Sequence, residues 1–384
     1  MSMNNAAVEE QFDLGIVGGG IAGLSLAIRM QLAGWRVLVL EQHAYPRHKV
    51  CGEYVSAEVV PYLAYLGIKL PEEVYPRIKT LWLTVSSGRG LSSDLEMGGI
   101  GISRFAFDSL LAKRATEVGV KIKTETVGGM QGTPPNARLI CRSGSHYACT
   151  QVVFAHGKHG SPDRFLQRSA IPDKQEYSGL KWHMKADDWP ENLVALHNFP
   201  GGYVGISKVE DNWVNVCALV QTRLLRSGQR PEEIFKWVMA RNPHVAKFMQ
   251  TATPRWESPM AIGAVHFKPK SLVEGNSYLV GDAAGLIAPL TGNGMARAVR
   301  SSTILANTLL SAGKVAASEA IWQEQYASQM KTMQAKLPQA RILQHFFGKR
   351  MVSESALIIA KAFPFLLKPI IARTHGKAIP APLS

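Results

Sequence analysis

The chain has 384 residues, of which 46% are hydrophobic and 19% charged, with a formal net charge of +14. That length buries a full core and suits two interleaved domains of ordinary globular composition. It excludes a membrane-spanning helix, because no uncharged apolar run reaches the roughly 20 residues a span requires.

The first residues, MSMNNAAVEEQF, have neither the basic nor the apolar region of a signal peptide. Leu14, Ile16 and Val17 then form an apolar strand ending in Gly18-Gly19-Gly20-Ile21-Ala22-Gly23, followed by a helical pattern through Leu24, Ala27, Ile28 and Leu32. Strand, G-x-G-x-x-G and helix in register predict a dinucleotide site. Gly18 serves the tight turn, Gly20 the approach of a pyrophosphate, and Gly23 close helix–strand packing, with the helix N-terminus facing the phosphates. Arg36 to Leu40 is the second strand. Glu41 at its tip, with Gln42 beside it, is placed to accept hydrogen bonds from an adenosine ribose, which suits FAD or NAD and not a 2′-phosphate.

Arg47, His48 and Lys49 follow, a basic trio expected near the pyrophosphate, and lead into Cys51-Gly52-Glu53. A helix is expected from about Ser56, a strand over Ile78 to Val85, and a polar, glycine-rich connection over Ser86 to Gly101. Ser103 is a predicted N-cap for a helix running through Glu117. Val120 to Thr126, Ala137 to Cys141 and Tyr147 to Ala155 read as strands before a second glycine loop, His156-Gly157-Lys158-His159-Gly160. Leu180 to Val220 alternates as an antiparallel sheet. A short helix follows over Pro231 to Ala240. Tyr278 to Val280 ends in Gly281-Asp282-Ala283-Ala284-Gly285, and Pro289 to Met295 opens a long helix over Ala296 to Leu310. Helical periodicity resumes from Ala317 to Phe347.

Charge is concentrated at the end: from Lys331 to Ser384 there are nine Lys or Arg and one acid, Glu354. No zinc-finger spacing or RNP-type motif accompanies it, so a nucleic-acid partner is not expected. The apolar stretch Ala356 to Ile371, broken by Lys361, Pro364, Lys368 and Pro369, either caps a domain or touches lipid at a membrane surface. The four cysteines, Cys51, Cys141, Cys149 and Cys217, form no C-x-x-C pair and read as reduced thiols in a cytoplasmic protein. His156 and His159 lack a third ligand, so no metal is expected.

Three glycine loops with a strand-rich insertion resemble the flavoprotein superfamily of para-hydroxybenzoate hydroxylase, flavin-dependent halogenases and geranylgeranyl reductases. The most specific match is G-D-A-A-G-x-x-x-P-x-x-G-x-G from Gly281 to Gly294. The resemblance implies that Asp282 bonds the flavin ribityl chain. It also implies that the turn through Gly292, Gly294 and Met295 brings a helix N-terminus to the flavin. Arg104, in R-F-A-F-D-S-L-L, matches the arginine near the FAD phosphates and ribityl. Cys51-Gly52 looks most like the geranylgeranyl reductase loop beside the isoalloxazine, where basic neighbours can lower a thiol pKa.

The implied fold is α/β (α+β): a Rossmann-like FAD-binding domain, an inserted antiparallel-sheet substrate domain and a helical C-terminus. The FAD domain takes residues 10–78, 102–165 and 272–350, the substrate domain 79–101 and 166–271, and the tail 351–384. FAD is the expected cofactor, with NAD(P)H or another reductant as a transient electron donor. His156-Gly157 replaces the Asp-Gly of the hydroxylases, which leaves NADPH use in their manner unsupported, and a halogenase W-x-W-x-I-P stretch is absent. The favoured reaction is hydroxylation of a lipophilic aromatic or polyketide, because the sheet from His197 to Leu219 suits a polar head. Saturation of C=C bonds in a prenyl or acyl lipid is the alternative; halogenation and a non-catalytic flavin module stand third. The substrate and the oligomeric state are not legible.

Overall fold

The computed structural model describes residues 10–158, 160–168, 176–226, 228–265, 270–285, 293–334, 350–362 and 378–380. In chain order the strands are β1 (Gln11–Val17), β2 (Val37–Glu41), β3 (Tyr54–Ser56), β4 (Arg77–Thr84), β5 (Gly90–Gly101), β6 (Lys121–Thr124), β7 (Val127–Gln131), β8 (Ala137–Cys141), β9 (His146–Phe154), β10 (Tyr177–Lys185), β11 (Leu193–Phe199), β12 (Gly202–Lys208), β13 (Trp213–Gln221), β14 (Thr253–Pro254), β15 (Met260–Val265), β16 (Val273–Glu274) and β17 (Ser277–Leu279). The helices that matter here are α1 (Ile21–Leu32), α2 (Val60–Tyr65), α3 (Arg104–Glu117), α4 (Ser161–Phe165), α5 (Pro231–Met239), α6 (Pro243–Thr251), α7 (Gly294–Ala312) and α8 (Ala320–Gln334), with a further helix at Arg350–Ala362.

Two sheets organise these elements. The first runs β16-β17-β9-β1-β2-β6, with β7 and β8 attached beyond β9. β1 lies parallel between β2 and β9, pairing Ile16 with both Val39 and Val153. The centre of this sheet is apolar because both faces are covered, and Leu14, Ile16, Leu38 and Val39 have no exposed surface. α1 is buried nearly all round and packs on α3 and α7. The second sheet runs β14-β10-β13-β12-β11-β4-β5-β3, with β15 on the free side of β10. One face carries Leu180, Val204, Val216 and Ala218, sealed by Phe235 and Val238 of α5 and Val245 of α6.

The predicted connection over Ser86 to Gly101 is instead largely the strand β5. Its serines and acids face solvent while it pairs with β4, so its polarity records an exposed face and not a loop. Ser103 caps α3 as expected, its Oγ accepting from the Ala106 amide at 3.0 Å. β7 and α6 had no counterpart in the sequence reading; both are short. Gly292, Pro289 to Thr291, His159, the predicted helix beyond Gln334 up to Phe347, and the tail from Phe363 to Lys377 lie outside the described residues. No helix among the described residues is long and apolar enough to cross a membrane.

Candidate functional site

The turn from β1 into α1 separates two kinds of glycine. At Gly18, φ is +110°, and a Cβ would lie 2.5 Å from the Ala155 carbonyl oxygen. A Cβ on Gly23 would meet the Gly18 oxygen at 2.1 Å. These two glycines close the fold on itself. Gly20 differs: among the described residues a Cβ there would meet only Arg104 Nη2, at 3.8 Å, so the space beside it is open. α1 starts there with no side-chain cap and no acid in its first turn. Unpaired N–H groups, helix dipole and open space form an anion cradle.

Glu41 is buried at the end of β2, where Oε2 accepts from the Gly19 amide at 2.8 Å and Oε1 from the His43 amide at 3.1 Å. Further lone pairs of the carboxylate remain for a ribose. Tyr45 donates to the Gly19 carbonyl at 2.6 Å. Gln42 is exposed beside it.

The basic trio divides among three sets of partners. Arg47 lies 3.6 Å from Glu41. Lys49 binds Asp108 at 2.7 Å. His48 packs between Phe105 and Trp256, with ring centroids 4.7 and 4.8 Å away. Arg104 grips Asp108 with two bonds of 2.8 and 2.7 Å and faces both Gly20 and Asp282. Burial disfavours its charge, but Asp108 outweighs this and holds the guanidinium pKa above its usual range.

The third loop meets the first across the cleft. Gly281 has φ +61°, and a Cβ there would stand 2.9 Å from Ala22 Cβ; its amide donates to Ser301 Oγ of α7 at 2.9 Å. Asp282 opens onto a cleft shared with Gly294, Arg297, Ala298 and Met330. The surrounding protein raises its carboxyl above the usual range, against the pull of Arg104 and Arg297. Ile21 and Ala22 are buried in the turn, and Met295 beneath the start of α7. An open cradle, a ribose-facing acid and an opposed aspartate suit a long dinucleotide, and the site fits FAD.

Cys51 sits where the first half of the molecule meets the second sheet. Asn215 Nδ2 donates to its carbonyl at 3.1 Å, and Glu53 N points at its sulfur at 3.5 Å. Basic neighbours were expected to lower its pKa; burial instead raises the thiol, with Arg104 only partly opposing and Glu53 adding to the rise. Cys217 is pushed up to about 12 by burial and by Cys51. All four cysteines are free.

Sequence reasoning missed the group beside this thiol. Glu53 and Lys181 form an ion pair with no exposed side-chain surface, and His183 Nε2 lies 2.6 Å from the other Glu53 oxygen. The Arg104 amide donates to Glu53 at 2.7 Å. Burial would raise the Glu53 carboxyl, but Lys181 and His183 outweigh it and hold it low. His48, Glu53 and His183 offer ligand atoms within 4.8 Å of one another, yet the Lys181 ammonium on the shared carboxylate repels a cation. The available signal was Lys181 and His183 two residues apart on a buried strand, where alternation sends both to one face.

The chain resembles known proteins in sequence and in fold. The family model described as FAD binding domain matches residues 11–340. A menaquinone reductase of Mycobacterium tuberculosis is 22% identical over 79% of this chain and 78% of its own. A digeranylgeranylglycerophospholipid reductase of Methanococcus vannielii is 24% identical over 85% of this chain and 83% of its own. A triple mutant of the flavin-dependent brominase Bmp2 shares the fold, with a TM-score of 0.78 at 16% identity, covering 95% of this chain and 96% of that one. The chain therefore belongs to the FAD-binding domain family and is an FAD-dependent oxidoreductase of the superfamily that includes geranylgeranyl reductases and flavin-dependent halogenases.

Proposed function

We propose that the protein reduces carbon–carbon double bonds of a lipophilic prenyl- or acyl-type molecule. The observation that carries this reading is Cys51, a thiol whose burial keeps it protonated at neutral pH. FAD, when bound, would supply the two-electron chemistry, a hydride equivalent for one carbon of the double bond drawn from an external reductant such as NAD(P)H. The turn that Gly18 and Gly23 close would offer its pyrophosphate the open space at Gly20, Glu41 would meet the ribose, and Arg104 and Asp282 would flank the ribityl chain. Cys51 supplies the proton to the second carbon.

An apolar cluster on the Lys181 face of the second sheet supports an apolar substrate: Tyr203, Leu219 and Val265 pack there with Tyr177, Leu196 and Ile262. Hydroxylation of an aromatic with a polar head drew on the sheet from His197 to Leu219, but His197 at its start faces the other way, bonded to Thr84 at 2.8 Å and set against Trp82 and His244. The two reductases similar to this chain add support through their reported activities.

The test is anaerobic. The flavoprotein is bleached with dithionite, then mixed with menaquinone or digeranylgeranylglycerophospholipid. Return of the yellow colour without oxygen, with product gaining two hydrogens, is expected, and Cys51→Ser slows it at least about tenfold. Colour returning only after air is admitted, with oxygen in the product, overturns the proposal in favour of hydroxylation.

A further inference from the structure

We propose that Lys181, held by Glu53 and the Lys49 carbonyl, returns to Cys51 the proton that the thiol gives to substrate, so that this buried group is the proton store of the site. The proposal deepens the reductase reading and rests on it.

Lysine and glutamate are almost never fully buried unless paired, and a buried pair adds little stability over apolar residues of similar size. Lys181 and Glu53 have no exposed side-chain surface, and they come from segments 128 residues apart. Their position is informative. Lys181 Nζ bonds the Glu53 carboxylate and, at 3.2 Å, the Lys49 carbonyl. It therefore grips the loop on both sides of Cys51. On the sheet Lys181 stands directly opposite Cys217, on the face that Asn215 uses to hold Cys51. An ammonium has three N–H donors; among the described residues two find acceptors in Glu53 and Lys49. The third is available to a thiolate.

The proton balance closes. As the S–H bond of Cys51 breaks, a C–H bond forms on the second alkene carbon, the first having received its hydrogen from the reduced cofactor. A buried thiolate remains beside the ammonium. One N–H bond of Lys181 then breaks and the S–H bond re-forms. The neutral amine stays bonded to one Glu53 oxygen and takes a proton relayed from water through half-buried His48 and His183, whose rings lie 5.1 Å apart, and across the Glu53 carboxylate that His183 bonds on its other oxygen. His48 suits a carrier that does not hold its charge: burial, then Lys181 and His183, push it down to about 4. The groups facing Cys51 are Arg104 of α3, Glu53 of its own loop, Lys181 of β10, Tyr203 of β12 and Cys217 of β13.

The experiment reads the thiol directly and needs no substrate. Alkylation of purified flavoprotein by iodoacetamide is followed against pH, with Cys51→Ser as the blank. Lys181→Met removes the cation and should slow Cys51 alkylation about tenfold at fixed alkaline pH, one pKa unit. Glu53→Gln should accelerate it. Lys181→Arg should restore the alkylation rate but not turnover, because a guanidinium keeps its charge and does not release a proton. Unchanged alkylation in Lys181→Met and Glu53→Gln, with FAD retained, overturns the proposal. If Lys181→Met fails to hold FAD, Lys181→Arg decides alone: wild-type turnover in that variant overturns it. A thiol that responds to Lys181 in a protein that saturates no double bond breaks the reductase reading instead.

Discussion

The two faces of the second sheet are built from the same strands and do opposite things. On the face sealed by α5 and α6, Leu180, Val216, Ala218 and Val220 interdigitate with Phe235 and Val238. On the other, one residue out of phase, Lys181, His183, Asn215 and Cys217 are just as enclosed or nearly so. Both faces lose water on folding. The first gains from it, at about 25 cal/mol per Å² of apolar surface. The second has to satisfy each polar group with a partner, and several kcal/mol of desolvation oppose each ion. A buried face that stability alone would have made apolar is where chemistry is placed.

The largest effect tests the cradle against the closed turn. Gly20→Val fills open space and should leave folded but colourless protein. Gly23→Val meets backbone at once and should not fold. A full flavin spectrum in Gly20→Val breaks the distinction. Next comes the charged face. Lys181→Met strands the Glu53 carboxylate and should cost about 3–5 kcal/mol of stability in urea denaturation. The double change Glu53→Gln with Lys181→Met should recover most of that loss while turnover stays low. Recovery of both would show the pair to be scaffold.

A smaller effect is expected at the facing loop. Asp282→Ala removes one charge-assisted bond and should weaken FAD by about 1.5–3 kcal/mol, read by flavin fluorescence on dilution. The smallest belongs to the apolar side. Burial, then His244, pushes His197 down to about 3 from 6.5. Below pH 6.5 the unfolded chain takes up a proton the folded one refuses, so stability falls as pH falls. The loss should reach about 1 kcal/mol by roughly pH 5.5 and shrink in His197→Gln. An identical pH slope in that variant removes His197 from the account.

The cofactor end was legible because its signals are local. Gly18, Gly20 and Gly23 fall within one turn, and a strand, a helix and Glu41 follow at fixed spacing. Arg104 and Asp282 were legible through motifs of a few residues. The proton-bearing group was not, because Glu53, Lys181 and His183 join only when β10 docks on the Cys51 loop. β5 was hidden for another reason: a strand with one wet face reads like a loop when its outward residues are serine and acid. His197 sits on a strand correctly expected, but alternation alone does not say which face the cofactor occupies.

Gly281 touching Ala22 has a consequence for the making of the protein. β1 emerges from the ribosome first, yet its neighbour β9 follows only at residues 146–154 and the opposing loop only after residue 281. Until α7 has left the exit tunnel, Ser301 is missing from the Gly281 amide and the site has one jaw. FAD therefore has nothing to hold in a growing chain. It stabilises only one that has reached α7, since a ligand shifts folding solely toward the state that binds it. Chains cut short before α7 should stay colourless however much flavin the cell contains, and supplementation should rescue weakened full-length variants alone.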